Sequence, residues 1–143
     1  MGQKAKTVFE ELIIDKSRIS QYELVTSETF TSYGVCQFSF VKSINGFNTN
    51  DTLSIAIDRD GKIKSYTGSR QGIFDNLTVN ADRSDIEKFI DEKVNSRYKN
   101  QTVKYNVNSM TIDKKKNKFY IRCFVGVETE EYITGDEYEY RLK

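Results

Sequence analysis

Histidine, proline and tryptophan are absent from the 143 residues, alanine occurs only at Ala5, Ala56 and Ala81, and cysteine only at Cys36 and Cys123. Without histidine there is no Ser/His/Asp or Cys/His nucleophile system and no His-containing zinc site. Charge of one sign is missing too: Lys+Arg 22 against Asp+Glu 21 leaves a formal charge of +1, so no overall field draws the chain to nucleic acid or an anionic membrane. No window approaches the roughly 18 consecutive apolar residues of a membrane helix. The start, Met1 to Lys6, lacks the apolar run of a signal peptide. It fits the first half of a myristoylation pattern but has Lys6 where Ser or Thr is wanted. A start placed just after a removed signal or anchor segment has the same appearance.

The length is that of one ordinary domain, expected over residues 1–143, in which about two-thirds of the unfolded surface is buried on folding. Cys36 and Cys123 have neither zinc-knuckle nor C-x-x-C spacing. They read as two reduced core cysteines or as a disulfide between neighbouring strands, a catalytic thiol being the least supported option because no flanking cationic cluster lowers its pKa.

Scarce alanine with plentiful asparagine, threonine and tyrosine favours strands. Val8, Phe9, Leu12 and Ile13 give residues 4–14 the spacing of a short N-terminal helix. From Val35 to Val41, Cys36, Phe38 and Phe40 alternate with Gln37 and Ser39, a strand with one buried side. Leu53, Ile55 and Ile57 repeat that pattern, and Asp58-Arg59-Asp60-Gly61 then turns the chain into Lys62 to Tyr66. The clearest helix covers about 82–98, with Ile86, Phe89, Ile90, Val94 and Tyr98 on one stripe and a Ser84/Glu87 capping-box spacing at its start. Strands follow at Val103 to Val107, at Phe119 to Val127, and in the tail. The fold class is α+β: an antiparallel sheet packed against one main helix, cystatin-like in arrangement. Residues 4–66 and 82–143 echo one another, since each puts a Cys in an alternating strand followed by Asn45-Gly46 to Asp51 or by Thr134-Gly135-Asp136; two copies of one unit is the alternative to a simple single domain.

Several motifs carry chemistry in other settings. Asp58-Arg59-Asp60-Gly61 opens like a calcium loop, but the twelfth position is Ser69 rather than a bidentate Glu, so a hairpin turn is expected and no metal. Lys114 to Lys118 spans a hairpin tip where charge is simply solvated, and no nucleic-acid partner is expected. The acidic tail, Glu128 to Glu139, interleaves carboxylates with Tyr132, Tyr138 and Tyr140. It reads as an edge strand guarded by charge, whose amphipathic tyrosines are the candidate residues for binding a protein partner.

Tyr33-Gly34-Val35-Cys36-Gln37-Phe38-Ser39-Phe40, then Ile44-Asn45-Gly46-Phe47-Asn48-Thr49-Asn50-Asp51, then Leu53 to Tyr66 resembles the PepSY-like domains of bacterial envelope proteins, including the YcdB/YcdC type. Those domains share an aromatic strand, an Asn-Gly turn and a strand, Asp-x-x-Gly, strand, Ser-Tyr hairpin. The resemblance covers residues 33–66. It implies an extracellular or cell-envelope domain without catalytic residues of its own, associated with propeptides or regulators of peptidases; no attached peptidase domain is present in these residues. The expectation is therefore a non-enzymatic domain that needs no cofactor, does not insert in a membrane and binds a protein or peptide partner. The alternative is a small-ligand or enzyme-like pocket of cystatin- or NTF2-like architecture, with Asp and Tyr as general base and hydrogen-bond donor.

Overall fold

The computed structural model describes residues 2–13, 15–25, 31–69 and 72–143. Helix α1 (Gly2–Leu12) leads through a 3-10 helix (Lys16–Gln21) into strands β1 (Tyr22–Leu24), β2 (Val35–Ile44), β3 (Phe47–Asp58) and β4 (Ile63–Gly68). Helix α2 (Arg83–Arg97) precedes β5 (Lys104–Lys115), β6 (Lys118–Glu128) and β7 (Ile133–Arg141). Hydrogen bonding orders the seven strands β1-β2-β3-β5-β6-β7, with β4 on β3. The molecule is thus α+β with a mostly antiparallel sheet. Two α-helices, rather than one main helix, carry buried stripes. The chain forms two compact units, Met1–Ile44 with Thr49–Asp75, and Asn45–Asn48 with Asn76–Lys143.

In the first unit the short apolar stripe of α1 does more than its length suggests. Ala5, Val8 and Phe9 are buried, and the Phe9 ring stacks on Phe40 at 4.3 Å while meeting Tyr22 edge-on at 5.3 Å. Lys16 holds the helix end by donating from Nζ to the carbonyls of Glu10 and Glu11 at 2.6 and 3.1 Å. Cys36, Phe38 and Phe40 of β2 meet Ile55 and Ile57 of β3 in the same core, as the alternation requires. The Asp58 to Gly61 turn closes β3 on β4. Asp58 Oδ1 accepts from the amides of Asp60 and Lys62 at 2.9 Å each, and Gly61 takes φ +82.

In the second unit α2 buries Ile86, Ile90 and Val94. Its N-cap is Asp82, and the capping box joins Asp82 to Asp85; Ser84, expected to take part with Glu87, instead donates its hydroxyl to Asp82 at 2.7 Å. Strand β5 extends well beyond the Val103 to Val107 run. Its apolar phase changes from Tyr105 and Val107 to Met110 and Ile112, and a bulge between Val107 and Ser109 absorbs the extra residue so that Met110 still faces Cys123 and Ile112 faces Ile121. Cys36 and Cys123 are both free and buried. Burial pushes the Cys123 thiol up to about 11, which leaves it unreactive at neutral pH.

Candidate functional site

Two of the candidate tyrosines lie on strand β7, on one face of it, and the third in the turn before it. Tyr138 and Tyr140 lie opposite Cys123 and Ile121 of β6, on the face that meets α2. The Tyr140 ring meets Phe89 edge-on at 5.2 Å, and the Tyr138 hydroxyl donates to Asp136 Oδ2 at 3.2 Å. Both are half-buried. Tyr132 is the exposed one of the three, at 46%, in the turn that precedes β7. That turn is tied by Thr129, whose Oγ1 accepts from the amides of Glu131 and Tyr132 at 3.3 and 3.2 Å. Beside it Asn100, Gln101, Thr102, Glu130, Glu131 and Tyr132 line a polar hollow of about 570 Å³.

Sequence reasoning missed Asp136, which organises the inner side of this strand. It is buried, and Tyr98 at the end of α2 donates to its Oδ2 at 2.6 Å while Arg97 Nη1 stands 3.6 Å from Oδ1. That hydrogen bond, with burial, pushes Tyr98 up to about 12. The position of Asp136 in alternation with Tyr138 and Tyr140 was the available signal.

The first unit has a related cluster where the inner face of β2 and β3 turns from apolar to polar. Lys42, Thr49 and Asp51 are buried there, with Tyr22 paired across to Lys42. Tyr22 donates to Asp51 Oδ1 at 2.7 Å, and burial first, then this bond, raises the phenol pKa. Asp51 is 1% exposed; the Ser69 hydroxyl also donates to Oδ1, at 3.5 Å, and Oδ2 has no partner among the described residues. Lys42 turns instead to Asp75 at 3.2 Å, where Arg18 also binds the carboxylate through both terminal nitrogens. Arg18 foremost, with Lys42, holds the Asp75 carboxyl down to about 2.

The outer face of the β6 and β7 pair is different in kind. Gly126 and Gly135 lie directly opposite each other, between the pair Phe124 and Glu137 and the pair Glu128 and Ile133. Phe124 is 44% exposed and Ile133 79%. A Cβ placed on Gly135 would meet nothing within 4 Å, and one on Gly126 would have the Asn108 side chain, at 3.5 Å, and the Asn106 carbonyl, at 3.9 Å, nearest to it. Neither glycine has a positive φ, so both could carry a side chain; their bareness leaves a gap in the sheet surface between two exposed apolar side chains. Towards the other end, Arg122 pairs with Asp113 at 3.0 Å and stands 2.8 Å from Glu137, the latter contact not aligned as a hydrogen bond. Lys115 is 3.8 Å from Glu139.

Among the described residues no cluster of three His, Cys, Asp or Glu side chains is arranged to hold a metal ion, and no helix is long and apolar enough to cross a membrane. Protein families, curated proteins and solved structures give no match to this chain.

Proposed function

We propose that this is a non-enzymatic, PepSY-like domain of the bacterial cell envelope or exterior that binds a protein or peptide partner, in the manner of a peptidase regulator. The observation that carries the reading is β7. It is the last strand in the sheet order, pairs with β6 and with no other strand among the described residues, and begins at an apolar, exposed Ile133 beside an exposed Tyr132. An open strand edge presents unpaired backbone N–H and C=O groups, the template on which an extended peptide adds as a further strand. The ion pairs of Glu137 and Glu139 are made to Arg122 of β6 and Lys115 of β5, across the sheet rather than beyond its edge. The Asn45-Gly46 turn and the Asp58 to Gly61 hairpin, on which the PepSY resemblance rests, support the family part of the proposal by their geometry alone.

Inhibition of secreted peptidases from the same organism, followed by hydrogen exchange of the complex, tests this reading. Slowed exchange over residues 133–141 on binding is the expected result. Turnover of a small substrate by the isolated chain, or a partner that protects other strands while leaving β7 unchanged, contradicts it. One observation favours a second reading, a small-ligand pocket in the first unit: a groove of about 400 Å³ whose lining includes Phe9, Tyr22, Leu24 and Phe40 lies beside the Tyr22 and Asp51 pair. A thermal shift with apolar amines that disappears in Tyr22→Phe tests that alternative.

A further inference from the structure

We infer that the partner segment recognised at β7 carries an aromatic side chain that fills the gap over Gly126 and Gly135, and a lysine or arginine about four residues away that enters the hollow at Glu130, Glu131 and Tyr132. The inference rests on the reading of β7 as a strand-addition edge and names the chemistry of what is added.

In an added strand the side chains on one face recur every second residue. One of them therefore lies beside Gly135, with its neighbours beside Ile133 and Glu137. Where Gly126 faces Gly135 neither residue supplies a side chain; Asn108 reaches the Gly126 side, and over Gly135 the backbone is open, flanked by the exposed apolar surfaces of Phe124 and Ile133. A flat ring fits that shape, as aromatic residues do when they cover cross-strand glycines in sheets. It would remove from water an apolar surface that a monomer otherwise leaves exposed.

Charge selects the second element. Glu137 and Glu139 are already drawn to Arg122 and Lys115. Glu128, Glu130 and Glu131 form no ion pair among the described residues. Two of these line the hollow together with the Tyr132 ring and the Asn100 and Gln101 amides, a set of acceptors and a π-face suited to an ammonium or guanidinium group. β7 runs back from Gly135 to Ile133 and Glu131 stands in the turn just beyond it, so four positions of the chain separate the gap from the hollow, and the added segment is assigned the same spacing. A second copy is a poorer occupant. Pairing β7 with β7 brings Glu137 and Glu139 against their own kind.

The test is selection of a displayed library of random decapeptides on the intact chain, followed by affinity measurement with Gly135→Val and with Glu130→Gln/Glu131→Gln. Gly135→Val fills the gap without steric conflict, since nothing lies within 4 Å. The expected outcome is enrichment of sequences with an aromatic and a basic residue about four apart. Their affinity falls at least tenfold in Gly135→Val, whose thermal stability is unchanged or higher. In the Glu pair variant affinity falls severalfold and loses most of its salt dependence, and N-methylation of alternate peptide amides abolishes binding. Enriched peptides that lack the aromatic, or that bind Gly135→Val equally well, overturn this inference, while their sensitivity to N-methylation leaves the partner-binding reading standing. No enrichment overturns both. Concentration-dependent self-association that the selected peptide cannot reverse overturns it in favour of a second copy.

Discussion

The two compact units solve the same local problem with different completeness. In each, a tyrosine at the passage from helix into the first strand donates its hydroxyl to a buried aspartate two strands further on: Tyr22 to Asp51 at 2.7 Å, Tyr98 to Asp136 at 2.6 Å. Asp136 is surrounded, with a second hydroxyl from Tyr138 and the Arg97 guanidinium nearby. Asp51 is less so: the Ser69 hydroxyl stands 3.5 Å from Oδ1, Oδ2 has no partner among the described residues, and Arg18 and Lys42 converge on Asp75 instead. A buried carboxylate is an asset only to the extent that its lone pairs are used. The Asp136 cluster is therefore a finished lock, whereas at Asp51 part of the gain from the Tyr22 bond is spent on desolvating an idle oxygen.

The largest expected effect follows from this difference. Asp136→Ala leaves two phenol hydroxyls without their acceptor and costs about 3 kcal/mol of stability, since hydrogen bonds to a charged group contribute roughly 1.5–3 kcal/mol each and are partly shared here. Asp51→Ala costs about half as much, roughly 1.5 kcal/mol, because the same substitution removes the unpartnered oxygen. Urea unfolding of the two variants against the parent measures both. Equal losses would break the comparison and imply that an internal water completes the Asp51 shell.

The units also differ in how pH should act on them. In the first, the carboxyls of Asp15, Asp58 and Asp75 are all held low, Asp75 to about 2 by Arg18 and Lys42. A carboxyl held low when folded contributes stability that is present above its ordinary value near 3.8 and is lost as pH falls towards 2. Unfolding midpoints followed by hydrogen exchange in β2 and β3 should drop across that window, and Asp75→Asn should flatten the drop. In the second unit Tyr98, Tyr105 and Tyr138 are all raised, Tyr98 to about 12. A phenol that binds its proton more tightly when folded contributes stability below its ordinary value near 10, lost as pH climbs through 12. Tyr98→Phe should remove part of that alkaline decline; an unchanged slope would assign it to the other raised phenols, Tyr105 and Tyr138 in this unit or Tyr22 in the first.

What the sequence made legible was whatever a period of two or 3.6 encodes. Cys36, Phe38 and Phe40, the Ile86 to Val94 stripe and the Phe119 to Val127 alternation are all found where their spacing puts them. Two things escaped. The full length of β5 was hidden because the Asn108 bulge shifts its apolar phase by one, which a strict alternation reads as an ending. The buried polar residues were hidden because Lys42, Thr49, Asp51 and Asp136 sit at inward positions that a hydrophobic pattern reads as outward. Of the candidate tyrosines, Tyr138 and Tyr140 share their strand face with Asp136 and are turned towards α2, a fact that depends on register with β6 and on no local pattern. The Gly126 and Gly135 gap likewise exists only through register: the two residues are nine positions apart and become neighbours when β7 folds back on β6.

The smallest expected effect concerns two hairpin turns that share one backbone but not one sequence. Asn45 and Gly46 between β2 and β3 take φ 50 and 81; Lys116 and Asn117 between β5 and β6 take φ 51 and 63. Both central residues are left-handed, the requirement of the type I′ turn that matches strand twist, and Asn-Gly is the pair best suited to it. Lys116 occupies that region against its preference, at a cost on the order of 1 kcal/mol. The double substitution Lys116→Asn/Asn117→Gly should therefore raise stability by about 1 kcal/mol with the denaturant slope unchanged. The reverse experiment at the other turn, Gly46→Ala, has open space around the new Cβ, so any loss reports backbone strain alone, again about 1 kcal/mol. If grafting Asn-Gly gains nothing while Gly46→Ala still loses, the lysine turn is compensated by its neighbours, and the Lys114 amine over the Phe119 ring at 5.6 Å is the contact to remove next.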